Sequence, residues 1–161
     1  MVRVAVLVIS SKIVEGRQDD TGREELERVL KEQNFAVSHY RIIPDERQLI
    51  HDSLQELCDT EHMDIVLTIG GTGVRPTDWT PEATKDVLDK EIPGIGEAMR
   101  AESLKKIRTA MLSRGTAGIR GETLIVNLPG SARGARENLS VLLPLLDHTI
   151  EKLSGDSHTS G

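Results

Sequence analysis

The sequence predicts an α/β domain with a mainly parallel sheet, and three observations carry that expectation. Short strand-like stretches rich in apolar residues recur at 4–9, 35–43, 64–69 and 123–128, and the first is β-branched and continuously apolar, the pattern of a strand covered on both faces of a parallel sheet. Stretches with apolar residues three and four apart fill the intervals between them. Proline, glycine and capping residues stand at the changeovers. At 161 residues and 17.7 kDa the chain has the size of one domain, spanning 1–153, long enough to bury a substantial core.

The first strand, 4–9, opens into SSKIVEGRQDD, read as a loop. Thr21-Gly22-Arg23-Glu24 matches a capping box, and Leu26, Val29 and Leu30 continue at helical spacing as far as Asn34. The second strand, 35–43, is ended by Pro44. Asp45-Glu46-Arg47-Gln48 offers another capping signature ahead of Ile50, Leu54, Leu57 and Cys58 on one helix face. The third strand, 64–69, runs into Gly70-Gly71-Thr72-Gly73, and Thr80-Pro81-Glu82 sets a cap residue before a proline at the first helical position. Residues 84–105 read as helices interrupted at Ile92-Pro93-Gly94, and 106–122 as a glycine-punctuated stretch with room for a small hairpin. After the strand at 123–128, Pro129-Gly130-Ser131 turns into a helix with Leu139, Leu142, Leu143, Leu146, Ile150 and Leu153 on its stripe, kinked or restarted at Pro144. The final SGDSHTSG, 154–161, reads as a flexible tail.

Composition removes several function classes. The aromatics are Phe35, Tyr40 and Trp79, too few for base-stacking platforms, and 20 basic against 26 acidic residues give a net charge of −6, the wrong sign for a phosphate-backbone binder. No nucleic-acid partner is expected, and an anionic ligand must find a local basic site. Cys58 is the single cysteine, which excludes an intrachain disulfide and cysteine-based zinc or iron-sulfur sites and makes a cytoplasmic address the default. The apolar part of MVRVAVLVIS is too short to span a bilayer, so no membrane partner is expected. His39, His51, His62, His148 and His158 lack metal-ligand spacing and read as surface or structural histidines, while Cys58 fits the apolar face of its helix.

In a parallel sheet, ligands bind outside the carboxyl ends of the strands, which selects the loops at 10–20, 70–80 and 129–136. The glycines at 70–73 can turn sharply and present backbone N–H groups to a phosphate, or they can simply make a tight turn. Neither a G-x-x-x-x-G-K-[ST] loop nor a dinucleotide fingerprint is present, since Met99 stands where the third glycine after Gly94-Ile95-Gly96 would be. This counts against a Rossmann-type oxidoreductase. Asp78, beside the glycine turn, suits a Mg²⁺ shared with substrate phosphates, or else caps the turn before Thr80. Asp45 presents the same choice between metal ligand and helix cap. Arg133 and Arg136 follow a helix start that favours anions, although a solvated helix with surface arginines is the commoner outcome. Trp79, in a polar loop, is expected to be exposed, at a cleft or a subunit interface.

The segments Leu67-Thr68-Ile69-Gly70-Gly71-Thr72-Gly73, Asp78-Trp79-Thr80-Pro81-Glu82-Ala83-Thr84, Pro93-Gly94, Leu112-Ser113-Arg114, Ala117-Gly118-Ile119-Arg120-Gly121 and Asn127-Leu128-Pro129-Gly130-Ser131, in this order, resemble the molybdopterin adenylyltransferase family. This is the Mog/MoaB group, with its gephyrin and plant Cnx G-domain relatives. The resemblance runs from about Arg3 to Leu153 and implies a three-layer αβα sandwich, commonly a homotrimer. It implies use of Mg²⁺ and ATP to attach AMP to the terminal phosphate of molybdopterin, with release of pyrophosphate, before a molybdenum-insertion protein of the same pathway takes over.

By this resemblance the two essential aspartates fall on Asp45 and Asp78, which would position Mg²⁺ directly or through water. Nucleotide contacts fall on Ser10, on Gly70, Gly71, Thr72 and Gly73, on Thr80, and on Asn127, Pro129, Gly130 and Ser131; pterin-side contacts fall on Ser113 and Arg114. Asp20-Thr21-Gly22 matches a further family segment. Two departures stand out. Ser10-Ser11-Lys12 replaces a frequent Ser-Asp, and Thr77-Asp78-Trp79 replaces a frequent Arg-Asp-Val, so that a phosphate-contacting arginine is either missing or supplied by Arg75. The first departure leaves a second reading open, a MoaB-like trimer that binds or carries molybdopterin without adenylylating it.

Overall fold

A computed structural model describes residues 1–155; the end of the expected tail, with His158, lies outside the described residues. Four strands form the parallel centre: β1 (Val2–Ile9), β2 (Phe35–Ile43), β3 (Ile65–Ile69) and β6 (Thr123–Leu128). Two short strands, β4 (Lys90–Glu91) and β5 (Ala117–Arg120), extend the β6 edge by antiparallel pairing, giving the order β2-β1-β3-β6-β5-β4.

Strand periodicity divides the core. Val4, Val6 and Val8 of β1 face a cluster with Leu26 and Leu30 of α2 (Arg23–Glu32), Met99 of α5 (Pro93–Leu104), and Leu139, Leu142 and Leu146 of α6 (Ala132–Leu153). Ala5, Leu7 and Ile9 face the opposite way, onto Ile50 and Leu54 of α3 (Arg47–Gln55) and Ala83 and Val87 of α4 (Thr80–Val87). Alternate residues of one strand therefore serve two helical layers, and the molecule is the expected three-layer α/β sandwich. β1 passes through α2 to β2 at one side, while β2 returns through α3 on the other face to β3. The connections diverge at the carboxyl ends of β1 and β3, where a ligand crevice belongs.

Several local expectations are corrected. The loop after β1 contains a one-turn helix, α1 (Ser11–Val14), because the Ser10 hydroxyl caps it by accepting from the Ile13 N–H at 3.2 Å. Thr21 forms no capping box: Gly22 is the N-cap of α2 and no side chain caps it. Asp45 is not a helix cap either, for Glu46 is the N-cap of α3, also without side-chain capping. Trp79 occupies the cap position of α4, one residue ahead of the expected Thr80. α3 passes into a π turn at Glu56–Thr60 that carries the buried Leu57 and Cys58. The hairpin in the ambiguous region pairs β5 with β6 around Gly121, which adopts φ +59°. Residues Arg108–Leu112 form a 3₁₀ turn. α6 continues through Pro144 without restarting: the proline is exposed, while Leu139, Leu142 and Leu146 hold the helix onto the sheet across the lost N–H.

Candidate functional site

The site is built around the turn that ends β3. Gly70 has φ +101°, and a Cβ there would stand 2.5 Å from the Ile9 carbonyl oxygen, so the ends of β1 and β3 approach closely only because this residue has no side chain. Gly71 has φ +70°, and its Cβ would collide with the Thr80 hydroxyl. Thr80 braces the turn: its hydroxyl donates to the Gly70 carbonyl at 2.9 Å and its N–H to the Gly71 carbonyl at 3.1 Å. Fully buried, Thr80 shapes the turn from behind rather than reaching a ligand directly.

Two cavities flank this turn. One, of about 650 Å³, is lined by the loop after β1 with Ser10, Ser11 and Lys12, by Asp45, and by Gly70. The other, of about 460 Å³, is lined by Thr72, Gly73 and Ser113 and by an α5 face carrying Met99 and Arg100. Gly71, Arg75, Asp78, Gly130 and Ser131 line both, so the two spaces meet across the turn.

Asp45 and Asp78 stand on the wall of the larger cavity. Asp45 Oδ2 accepts the Ser11 N–H at 2.9 Å, and the Ser11 hydroxyl accepts the Asp45 N–H at 2.9 Å. This reciprocal pair gives the departure at Ser11 a structural meaning: the serine anchors the carboxylate without adding a second negative charge. Asp78, nearly buried, accepts the Arg75 N–H through Oδ2 at 2.9 Å, while its own N–H bonds the Arg75 carbonyl at 3.0 Å. The second oxygen of each carboxylate has no hydrogen-bond partner among the described residues. Two hard oxygen donors on one cavity wall fit Mg²⁺, which typically takes one or two carboxylates and completes its shell with phosphate and water. Among the described residues no group of three His, Cys, Asp or Glu side chains forms a full metal cage.

Other expected contacts resolve into different roles. Ser113 lines the smaller cavity. Arg114 does not line either space. Its Nε donates to the Gly73 carbonyl at 2.7 Å, Nη2 to the Asp78 carbonyl at 2.9 Å, and Nη1 to the Glu82 carboxylate. Burial pushes the Glu82 carboxyl up, but Arg114, helped by the residue's own backbone N–H and by Arg47, outweighs it, and the group is held below its usual value. Asn127 borders the smaller cavity with its amide already engaged: Nδ2 donates to Thr68 at 2.9 Å and Thr84 at 3.0 Å, and Oδ1 accepts from Thr116 at 3.1 Å. Pro129 and Gly130 carry the chain to Ser131, which caps α6 by accepting the Gly134 N–H at 3.0 Å.

Arg133 and Arg136 take the commoner outcome, pairing with Glu137 and Glu25 on the surface. Trp79 is exposed as expected, but it borders neither cavity and lies 5.9 Å from the Arg47 guanidinium. Asp20 accepts the Tyr40 hydroxyl at 2.6 Å; burial and this neighbouring carboxylate raise the Tyr40 phenol well above its ordinary value. Cys58 is buried, which pushes its thiol up to about 11 and leaves it inert.

Sequence reasoning missed the polar wall of the smaller cavity, formed by Arg100, Ser103 and Asn138. The Asn138 amide donates to the Ser103 hydroxyl at 2.7 Å, and Arg100 Nη1 donates to the Gly115 carbonyl at 2.8 Å. A signal was present: Gly96, Met99, Arg100 and Ser103 recur at i, i+3, i+4 and i+7, one face of α5.

A glycine turn at a topological switch point, with Asp45 and Asp78 on the wall of one cavity and a second cavity adjoining it, defines the ligand crevice of an α/β protein. Comparison with known proteins specifies the family. The family described as "Probable molybdopterin binding domain" matches residues 5–148, and the chain belongs to it. A molybdopterin adenylyltransferase of Helicobacter pylori strain J99 is 42% identical over 157 residues, covering 96% of this chain and 89% of the relative. The crystal structure of the molybdopterin biosynthesis enzyme MoaB from Thermus thermophilus superposes with a TM-score of 0.91 at 46% identity, covering 96% of this chain and 98% of that one. The molybdopterin biosynthesis Mog protein from Mycobacterium ulcerans superposes with a TM-score of 0.89 at 35% identity, covering 95% of this chain and 99% of that one.

Proposed function

We propose that the protein is a nucleotidyltransferase of molybdenum cofactor biosynthesis, joining AMP from ATP to the terminal phosphate of molybdopterin and releasing pyrophosphate. The observation that carries this reading is the pair of cavities meeting at Gly71, Arg75, Asp78, Gly130 and Ser131. Two phosphorylated substrates seated on opposite sides of the turn would bring their phosphates together there.

The chemistry asks little of a general base, because a phosphate monoester is already largely ionised at neutral pH. The molybdopterin phosphate oxygen forms the new bond to the α-phosphorus, and the bond from that phosphorus to the oxygen bridging to the β-phosphate breaks. The obstacle is bringing two anions together, which makes positioning and charge stabilisation the main tasks. The Gly70 N–H is held by the Leu128 carbonyl at 3.1 Å and the Gly134 N–H by the Ser131 hydroxyl at 3.0 Å, which leaves the N–H groups of Gly71, Thr72 and Gly73 and the first two of α6 to meet developing charge. Arg75, the one basic side chain among the described residues that lines both cavities, takes the part of the arginine missing at position 77. Asp45 and Asp78 hold Mg²⁺, directly or through water, and the metal when bound supplies neutralisation at the leaving pyrophosphate. Ser10, Ser11 and Lys12 line the nucleotide side, and Ser113 the pterin side.

The Ser11–Asp45 pair supports catalysis over the carrier reading, because the departure that favoured a carrier serves to hold a carboxylate in place. A homotrimer, hand-over to a molybdenum-insertion protein and a cytoplasmic setting belong to the same reading. Exposed Ile107, Met111 and Leu112 supply apolar surface for protein contacts, and among the described residues no helix is long and apolar enough to cross a membrane. The test is incubation with molybdopterin, Mg²⁺ and ATP labelled at the α-phosphate. Label on the pterin with stoichiometric pyrophosphate is the expected result; pterin binding without label transfer would establish the carrier instead.

A further inference from the structure

The side chain of Arg114 closes a loop. Gly73 and Asp78 are the two ends of the segment that carries Val74, Arg75, Pro76 and Thr77, and one guanidinium donates to both of their carbonyls, at 2.7 Å and 2.9 Å. The Arg114 N–H adds a third tie, to the Thr72 carbonyl at 2.8 Å. The remaining nitrogen meets Glu82 on α4, whose second oxygen, Oε1, is buried with no hydrogen-bond partner among the described residues. A half-buried carboxylate left with an unsatisfied oxygen is costly. Its charge is offset by the same arginine that reaches over the loop, so the ion pair and the loop closure depend on each other.

We propose that Arg114 is a positioning residue, which with Glu82 holds the Gly73–Asp78 loop shut and thereby fixes the Asp78 carboxylate and Arg75 where the two cavities meet. This rests on the function proposed above and replaces the direct pterin contact expected for Arg114. The planar fork explains the residue type: three separated acceptors are met from one side chain, and an ammonium presents no such fixed fan of donors. Loop closure acts on the transition state more than on ground-state binding, because it sets the alignment of charged groups at the reacting phosphates, while the walls outside the loop, with Ser10, Ser11, Lys12 and Asp45 on one side and the α5 face and Ser113 on the other, keep their places.

Two measurements on Arg114→Ala, Arg114→Lys and Glu82→Gln test this. Hydrogen exchange of the Arg75 amide, followed by NMR in the ligand-free protein, should quicken at least tenfold in Arg114→Ala, since that amide is held only by Asp78 within the loop. In adenylyl transfer, kcat should fall about 100-fold while KM for ATP and for molybdopterin each stay within a few-fold, and Arg114→Lys should not restore it. Unchanged Arg75 exchange would overturn the proposal. So would a rise in KM for molybdopterin alone with kcat retained, which marks direct substrate contact. If Arg114→Ala fails to fold, Arg114→Lys and Glu82→Gln decide by the same readings. Absence of transfer in the unaltered protein would count against the proposed reaction alone, because exchange in the ligand-free protein still reports whether Arg114 closes the loop.

Discussion

At the scale of single residues, the two aspartates separate by what their carboxylates already bind. Asp78 uses one oxygen to fix the Arg75 N–H, and Asn at this position can keep that bond through its carbonyl while losing the charge. Asp78→Asn should therefore fold as the unaltered protein does and lose turnover by two orders of magnitude or more, measured with Mg²⁺ at saturation; normal turnover there would remove the carboxylate from the chemistry. Asp45 was legible in the sequence as a candidate but not in its setting, because Asp-x-x-Gln looks like a helix start and α3 instead takes Glu46 as its N-cap, without side-chain capping. Asp45→Ser gives up the bond from the Ser11 N–H, a loss of about 1 kcal/mol in denaturant unfolding, and should abolish adenylyl transfer. Retained transfer would return Asp45 to a purely structural role.

At the scale of elements, strands and helices were readable wherever period and burial agree. β1, β3 and β6 lie buried between two layers, so their sequences are mostly apolar, interrupted only by Arg3, Thr68, Thr123 and Asn127. What was not readable depends on partners distant in the chain: the one-turn α1, the two-residue β4 and the continuity of α6 through Pro144. Asn127 belongs to the same group. Its motif pointed to a nucleotide contact, yet its amide ties β3, α4 and the segment before β5 together. Asn127→Ala should destabilise the fold by about 3 kcal/mol, since it leaves the buried hydroxyls of Thr68 and Thr84 and the partly buried N–H of Thr116 without their partner; a change in ATP affinity at unchanged denaturant midpoint would contradict that. The Arg114–Glu82 tie makes a pH prediction. The Glu82 carboxyl titrates below its usual value in the folded state, so its stabilisation is present above the unfolded-state value and disappears as pH falls through the folded one. The melting-temperature gap between the unaltered protein and Glu82→Gln should be open at neutral pH and close in acid; a gap that widens on acidification would contradict the tie.

At the scale of the whole molecule, an acidic protein of net charge −6 gathers Lys12, Arg75 and Arg100 around two adjoining cavities. Local charge can attract phosphorylated ligands while the overall charge repels long polyanions such as nucleic acids. The architecture supplies the division: loops after β1 and β2 build one cavity, α5 and the segment before β5 build the other, and the turn after β3 stands between them. The central claim is that the two substrates occupy these spaces together. It is tested most directly by titrating molybdopterin into protein saturated with Mg²⁺ and an ATP analogue whose α,β-bridge is a methylene, so that no transfer occurs. The account predicts a ternary complex, with one molybdopterin bound per chain at an affinity no weaker than without the nucleotide. Mutual displacement, with each ligand raising the apparent dissociation constant of the other in proportion to its concentration, would mean that they share one site and would contradict it.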